Sequence, residues 1–280
     1  MSTGQRLHKF DALGNDFLVA FVDEWPDDAE AARSAVTWCD RHGGIGGADG
    51  LIYAVLDAAG ANSVAMRLWN SDGSAAEVSG NGLRCLAHAV ARERGKDEFD
   101  LIVQTEAGIR MCRIRPAADD PDAVVGEGQM GEVASGPLPD AGAGEMLRVL
   151  EGVRGAGVAS RWETRRLGNP HVVIEVSDPL AVRMREAGPA VEALFSGGIN
   201  VHFGAVTGAD ELTVTVWERG AGATRACGTG AVAAASVFHD WGRVGEYVTV
   251  RMPGGDLEVD LSEPVKKLGG RSRYVGSADV

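Results

Sequence analysis

Two neighbouring stretches late in the chain differ in their spacing of apolar residues. Glu211–Trp217 alternates polar and apolar positions, which predicts a half-buried strand, whereas Ala231–Phe238 consists mostly of alanine and other apolar residues that favour a helix. Between them lies Cys227-Gly228-Thr229-Gly230, so Cys227 is predicted to stand where a turn enters a helix. The first N–H groups of a helix lack intrahelical partners and attract anions. We therefore expect this junction to bind a carboxylate or phosphate and to lower the pKa of the Cys227 thiol.

The same pattern occurs once more, about half a chain length earlier. Ser79-Gly80-Asn81-Gly82 precedes an apolar helical run at Leu86–Arg92. Both copies read as a small nucleophile, a glycine, a polar residue and a second glycine before a helix. We expect two related halves whose helix N-termini face one cleft. Such a cleft would hold one small carboxylate, with an acid or base group on either side.

The remaining periodicity predicts short strands and few helices. A hairpin is expected over Leu7–Val22, turning at Gly14-Asn15-Asp16, and further hairpins at Phe99–Ile114 and Val248–Leu261. A helix is expected over Asp28–Asp40, and a strand over Val172–Val176. Segments rich in Pro, Asp, Ala and Gly between positions 116 and 144 mark a boundary between the halves. The pattern predicts the α+β class with two similar domains.

Composition and charge narrow the functional classes. The formal net charge of −13 on 280 residues, without a basic run or basic helix face, argues against general nucleic-acid binding. The four cysteines show no metal-like spacing, which indicates free thiols in a reducing cytoplasm and no bound metal. The chain contains no apolar run of membrane-spanning length and no signal-peptide start. We therefore expect a cytoplasmic protein without a membrane partner.

Six motifs together resemble one enzyme family. In chain order they are LGNDF at 13–17, WNSDG at 69–73, SGNGLRC at 79–85, GNPHVV at 168–173, INVHF at 199–203 and WERGAGATRACGTG at 217–230. Their order and spacing resemble the diaminopimelate epimerases over Lys9–Leu261. The resemblance implies a small-molecule substrate, the interconversion of LL- and meso-diaminopimelate, and catalysis without pyridoxal phosphate or any other cofactor. It also implies a homodimer.

The resemblance implies a fold shared with proline racemase. Two pseudo-symmetric domains are each expected to be a β-sheet wrapped around a central helix. The expected domains are 1–128 together with 268–280, and 129–267. In this arrangement the segment near Tyr274 folds back onto the first domain.

The resemblance also implies a role for each matching residue. Cys227 matches one of two catalytic thiols, His171 and Glu218 match residues that assist the thiols, and Arg219 matches the partner of the substrate's distal carboxylate. The substrate-binding residues implied are Asn15, Asn70, Gly80, Asn81, Asn169, Asn200, Glu218, Arg219, Gly228 and Thr229.

One catalytic position departs from the family, because Ser79 stands where the second catalytic cysteine is expected. A thiol has a reference pKa of about 8.5, and an aliphatic hydroxyl is a weaker acid than even the tyrosine phenol at about 10. A helix terminus supplies at most about 2 kcal/mol, too little to make Ser79 a standing base. Ser79 is therefore expected to pass a proton only briefly or to orient a water molecule.

Three explanations for Ser79 stay open from the sequence. It is an engineered substitution that traps substrate, or a natural residue in a slow or one-directional epimerase, or the sign of a different reaction. The different reaction would be a racemisation of another amino acid or a dehydration on the same fold. A non-catalytic amino-acid-binding protein is the alternative from another class.

Overall fold

The computed structural model describes residues 4–43, 46–76, 79–106, 108–152 and 158–280, and the side chains of 158–160 lie outside the description. The chain divides into two compact units. Unit 1 comprises Met1–Gln129 and Gly269–Val280, and unit 2 comprises Met130–Leu268. Each internal boundary lies one residue after the one expected from the sequence. The assignment of these ranges as domains stays a prediction.

The first eight strands and two helices occupy the first half of the chain, and β8 crosses the first unit boundary. They are β1 (Arg6–Ala12), β2 (Asn15–Phe21), α1 (Asp28–Trp38), β3 (Gly50–Leu56), β4 (Ser63–Asn70), β5 (Ala75–Ala76), α2 (Gly80–Arg94), β6 (Phe99–Thr105), β7 (Gly108–Pro116) and β8 (Ala123–Glu132).

The second half begins with β9 and ends in β17. Its elements are β9 (Ala134–Ser135), α3 (Ala143–Gly152), β10 (Val158–Leu167), β11 (Asn169–Val176), α4 (Met184–Glu192), β12 (Asn200–Gly208), β13 (Glu211–Glu218), β14 (Gly222–Thr224), α5 (Gly228–Asp240), β15 (Tyr247–Met252), β16 (Gly255–Asp260) and β17 (Val265–Asp279). A 3₁₀ turn at Pro179–Ala181 precedes α4.

Both units repeat one strand topology. In unit 1, β1/β2 is antiparallel, β2/β3 parallel, β3/β4 antiparallel, β4/β6 parallel and β6/β7 antiparallel. In unit 2, β10/β11, β11/β12, β12/β13, β13/β15 and β15/β16 follow the same alternation. Parallel neighbours need a crossover connection, which α1 and α2 provide in unit 1 and α4 and α5 in unit 2. The predicted α+β class with a pseudo-symmetric repeat is confirmed.

A buried helix forms the centre of each unit. Helix α5 contacts strands β10, β11, β12, β13, β15 and β16, and every residue from Gly230 to Phe238 on it is buried. Helix α2 contacts β1, β2, β3 and β7, and its residues Arg84–Ala91 are buried. A helix that is apolar on all sides is stable only inside a core. The sheet-around-helix arrangement implied by the resemblance is therefore present in each unit.

Several predicted turn residues lie in strands instead. The turn between β1 and β2 is Leu13-Gly14, with φ of 62° and 80°, so Asn15 and Asp16 belong to β2. Two positive φ angles are the geometry that a two-residue hairpin with right-handed strand twist requires. Asn169 likewise begins β11 rather than preceding it. The side chains of these residues are consequently held by strand backbone.

The C-terminal segment returns to unit 1. Strand β17 pairs antiparallel with β1, with Leu7 opposite Ala278 and Phe10 opposite Tyr274. This is the return that the resemblance implied near Tyr274. None of the described helices is both long and apolar enough to span a membrane.

Candidate active site

Ser79 caps the N-terminus of α2 in unit 1. Its backbone is extended, with φ of −131° and ψ of 128°, and its Oγ accepts the N–H of Gly82 at 3.1 Å. Such a cap stabilises a helix by about 1 kcal/mol. A Cβ on Gly80 would meet no atom within 4 Å, so the chain is open at the first helical residue. Ser79 therefore has a structural role in addition to any chemical one.

A chain of four polar side chains joins two predicted substrate contacts in unit 1. Arg84 donates to Oδ1 of Asn81, Asn81 Nδ2 donates to Asn15 Oδ1 at 3.2 Å, and Asn15 Nδ2 donates to Asp49 at 2.6 Å. A guanidinium can only donate and a carboxylate can only accept, so the two ends determine both amide orientations. Asn81 and Asn15 each retain one amide N–H for another partner.

Asp49 is itself held by a cluster of charged residues that the sequence did not reveal. Arg41 contacts Asp49 and Asp16, each at 2.7 Å, and Lys9 contacts Asp16 at 3.0 Å. Burial alone would raise the pKa of Asp16, but hydrogen bonds from Arg41 and Lys9 bring that pKa below its ordinary value. The cluster keeps the Asp49 acceptor of Asn15 in place. Asp49 directly precedes β3, and the sequence analysis assigned it no role.

Asn70 ends β4 opposite Gly50, the residue that also pairs with Phe17 of β2. Its Nδ2 donates to Ser74 Oγ at 3.0 Å, and its backbone N–H donates to Ser74 O at 2.8 Å. Asn70 thus lies at the strand ends near β2, and its side chain stabilises the turn after β4. Its predicted contact with substrate stays a prediction.

Cys227 occupies in unit 2 the position that Ser79 has in unit 1. It precedes α5 with φ of −138° and ψ of 113°, and the Gly230 N–H of the first helical turn lies beside its sulfur. Its Sγ lies 3.6 Å from Thr229 Oγ1, and its backbone N–H points to Met252 Sδ at 3.3 Å. A Cβ on Gly228 would be 2.9 Å from a Leu268 methyl group, so this position favours glycine. The thiol therefore lies beside the Thr229 hydroxyl and the Glu218 carboxylate at the start of α5.

The electrostatic setting of Cys227 differs from the sequence expectation. Burial, followed by the negative charge of Glu218, raises the pKa of the Cys227 thiol to about 12, while the Thr229 hydroxyl and the Gly230 N–H act in the opposite direction. The expectation that the helix terminus lowers this pKa is therefore wrong for the protein by itself. The reason is that Cys227 is only 6% exposed, and the effect of burial on the pKa outweighs that of the hydrogen bonds to the sulfur.

Glu218 and Asn200 shape the same end of the sheet. Thr224 Oγ1 donates to Glu218, which orients the carboxylate next to Cys227. Asn200 is 3% exposed, and it donates to Pro170 O at 2.9 Å while accepting the Arg219 N–H at 3.0 Å. Asn200 therefore ties β11 to the loop after β13 and retains one amide N–H.

Arg219 is exposed and held at both ends of its side chain. Its Nη1 donates to Gly197 O at 3.0 Å, and its stem packs over Gly198, where a Cβ would lie 2.6 Å from the Arg219 Cδ. Gly198 also has φ of +66°, a conformation that favours glycine. The guanidinium is accordingly available to a carboxylate at the surface of unit 2.

His171 does not contact Cys227 through either ring nitrogen among the described residues. Nε2 lies 2.8 Å from Asn169 Oδ1 and Nδ1 lies 2.9 Å from His202 Nε2. Both His171 and His202 are fully buried. The sequence analysis placed His202 only within the INVHF motif and gave it no role. The sequence signal that could have predicted this pair is one histidine on each of two neighbouring strands, β11 and β12.

Comparison with known proteins assigns the family. The model of the diaminopimelate epimerase family matches residues 10–134 and 164–278. The chain belongs to the diaminopimelate epimerase family. It is similar to the diaminopimelate epimerase of Synechocystis, with 38% identity over 264 residues covering 93% of this chain and 92% of the relative. It is also similar to that of Pelotomaculum thermopropionicum, with 39% identity over 267 residues and 91% coverage of each chain.

Solved structures show the fold of this diaminopimelate epimerase family member in more distant proteins. A Pseudomonas aeruginosa protein described as a predicted epimerase matches with a TM-score of 0.72 at 17% identity, covering 99% of each chain. A hydroxyproline epimerase from Agrobacterium vitis matches with a TM-score of 0.61 at 18% identity, covering 100% of this chain and 93% of the other. At these identities the likeness supports the fold alone.

Because the two units of the diaminopimelate epimerase fold share one topology, predicted site residues of one unit have equivalent positions in the other. Ser79 corresponds to Cys227 before the central helix, and Asn15 to Asn169 at the start of the second strand. The units differ in what holds that asparagine, which is a carboxylate in unit 1 and an imidazole in unit 2. The site roles implied for all these residues stay predictions.

Proposed function

We propose that the protein interconverts LL- and meso-diaminopimelate by moving the proton on the α-carbon, without a cofactor. Family membership makes the chain an isomerase that epimerises an amino acid. The observation that supports this chemistry most is the Cys227 thiol at the start of α5 with Glu218 beside it. In this proposal the Cys227 sulfur exchanges the α-proton on one face of the carbon.

The reacting carboxylate is proposed to bind at helix N-termini. The backbone N–H groups of Gly228 and Thr229, and those of Gly80 and Asn81, belong to first turns and have no intrahelical acceptors. Negative charge moves onto the carboxylate as the carbanion forms. A preorganised donor at such a position contributes about 3 to 4 kcal/mol to the transition state.

The thiol must lose its proton before it acts as a base. With a pKa raised to about 12 by burial and by Glu218, Cys227 is protonated near neutral pH. Glu218, oriented by Thr224, is the acceptor placed to receive that proton. The α-ammonium group of the substrate would then favour the thiolate that forms. Glu218 thus assists Cys227 in this proposal, and Arg219 binds the distal carboxylate with its planar fork.

Ser79 is proposed to limit turnover on the other face of the α-carbon. A hydroxyl can donate a proton to a carbanion, but it cannot act as a standing base near neutral pH. Its oxygen also serves as the acceptor for the Gly82 N–H. We therefore propose slow epimerisation that favours proton removal by Cys227 over removal by Ser79.

A binding protein without turnover is the second candidate, because two observations favour it. Ser79 is engaged as a helix cap, and the buried Cys227 thiol holds its proton. The homodimer implied by the resemblance and the cytoplasmic location expected from the composition are also part of the proposal. Sedimentation equilibrium of the purified chain tests the dimer.

Exchange of the α-proton tests the proposed function. The purified protein is incubated with LL-diaminopimelate in heavy water, and deuterium at the α-carbon and formation of the meso isomer are followed by NMR. We expect slow incorporation with little inversion, and none for Cys227→Ala. Incorporation that is equal in Cys227→Ala would refute the role of the thiol. Calorimetric binding without incorporation would instead support the binding protein.

A further inference from the structure

Two buried imidazoles form a hydrogen-bonded chain that ends on Asn169. His171 on β11 and His202 on β12 are each 0% exposed, on strands that pair in parallel. His202 Nε2 lies 2.9 Å from His171 Nδ1, and His171 Nε2 lies 2.8 Å from Asn169 Oδ1. The ring planes differ by 40°. The chain therefore links the core of unit 2 to the first residue of β11.

Both rings are neutral at physiological pH. Burial, with Arg219 adding to it, lowers the pKa of His171 to about 4, and burial with His171 lowers the pKa of His202 well below its ordinary value. A neutral imidazole carries a single N–H and one bare nitrogen. The proton of each ring is therefore on either Nδ1 or Nε2. Because one hydrogen bond joins the two rings, the tautomer of one ring determines the tautomer of the other.

The two proton arrangements leave different groups unpaired. In the first, His202 donates from Nε2, His171 donates from Nε2 to the Asn169 oxygen, and a bare Nδ1 on His202 lacks a partner among the described residues. In the second, every proton is reversed and the Asn169 amide is flipped, which leaves a buried N–H on His202 without an acceptor. Orphaned buried N–H groups are rarer than unpaired acceptors. The first arrangement is favoured.

We propose that His202 is a positioning residue that acts on the substrate through His171 and Asn169. By donating from Nε2, His202 keeps the proton of His171 on Nε2, where it holds the Asn169 carbonyl oxygen. The Asn169 amide nitrogen is then free to donate to an oxygen of the substrate. The step from Asn169 to substrate rests on the proposed function, whereas the tautomer of His171 does not.

The glycine at position 230 makes room for the His202 ring. A Cβ there would lie 2.0 Å from Cε1, 2.7 Å from Nε2 and 2.8 Å from Nδ1 of His202. Gly230 belongs to the first turn of α5, which Cys227 precedes. The ring of His202 therefore packs directly against the first turn of α5, the turn that Cys227 precedes.

The tautomer can be measured directly on the full chain without substrate. Long-range proton–nitrogen correlation spectra of protein labelled with ¹⁵N in histidine distinguish a protonated from a bare ring nitrogen. For His171 we expect a protonated Nε2 and a bare Nδ1. His202→Phe, which keeps a ring but removes the donor, should give a mixture of tautomers at His171. His202→Gln, which returns an N–H donor, should restore the parent tautomer.

Kinetics supply the second measurement. In His202→Phe we expect KM for diaminopimelate to rise about three- to tenfold, the range of one lost hydrogen bond, with a smaller change in kcat and recovery in His202→Gln. A protonated Nδ1 on His171 in the parent protein would overturn the proposal. An unchanged His171 tautomer in His202→Phe would overturn it as well. Because the spectra need no substrate, failure of the proposed function leaves this result intact.

Discussion

Replacing Ser79 with cysteine should raise activity and lower stability at the same time. The structure makes the stability cost calculable, because the Ser79 Oγ accepts the Gly82 N–H at 3.1 Å and caps α2. Loss of a serine N-cap typically costs about 1 kcal/mol. In a protein of this size that corresponds to a melting temperature lower by about 2 to 4 °C.

The gain in activity follows from acidity. A thiol at position 79 has a reference pKa of about 8.5, so it can exchange protons near neutral pH, which an aliphatic hydroxyl cannot. A positioned acid or base contributes about 10²- to 10⁴-fold to a reaction rate. We therefore expect Ser79→Cys to raise the rate of LL-to-meso conversion by at least about a hundredfold.

Two assays and a matched variant separate the effects. Circular dichroism follows the loss of the LL isomer, and scanning calorimetry follows the melting temperature. Ser79→Ala removes the cap without adding a thiol, so it should show the same stability loss and no gain in rate. If Ser79→Cys binds diaminopimelate but gains no activity, the epimerase proposal is wrong. If Ser79→Ala melts at the parent temperature, the cap contributes less than the geometry indicates.

Three further predictions follow from packing and burial. Gly230→Ala should lower the free energy of unfolding by about 1 to 3 kcal/mol, because the added methyl group would overlap the buried His202 ring. Gly80→Ala, which has open space around it, should leave the midpoint of chemical denaturation nearly unchanged. Stability should fall as pH drops from about 6.5 to about 4, because burial lowers the pKa of His171 and of His88 to about 4 while the unfolded chain still binds those protons. Each histidine should lower the free energy of unfolding by roughly 3 kcal/mol over this range, at about 1.4 kcal/mol per pH unit. Urea denaturation midpoints that do not change between pH 6.5 and pH 4 would contradict these pKa shifts. Alkylation of Cys227 by iodoacetamide should be slow at pH 7 and accelerate above pH 9, since its thiol pKa is raised to about 12, and fast modification at pH 7 in mass spectra would refute that value.

The sequence pattern predicted the helix and the strand that flank Cys227, but it did not predict which distant segments pair with the strands. Alternation at Glu211–Trp217 and the alanine-rich run after Gly230 predicted the ends of β13 and α5 to within three residues. The β1/β2 turn was misplaced because positive φ at Leu13 carries no signal in a non-glycine residue. Strand β17, interrupted by glycines, was not predicted from periodicity, since its stability comes from pairing with β1.

What the sequence alone determined is the duplicated motif, the two central helices and the family. Apolar spacing and glycine placement are local properties, so they can be read without knowing which segments meet. Only the tertiary structure decided that Ser79 acts as a cap, that Asp49 and Arg84 orient Asn15 and Asn81, and that His202 lies within hydrogen-bond distance of His171. It also reversed the expected shift of the Cys227 pKa. Burial and hydrogen-bond partners come from residues distant in the chain, and they set the acidity and orientation of a side chain more strongly than its neighbours in sequence.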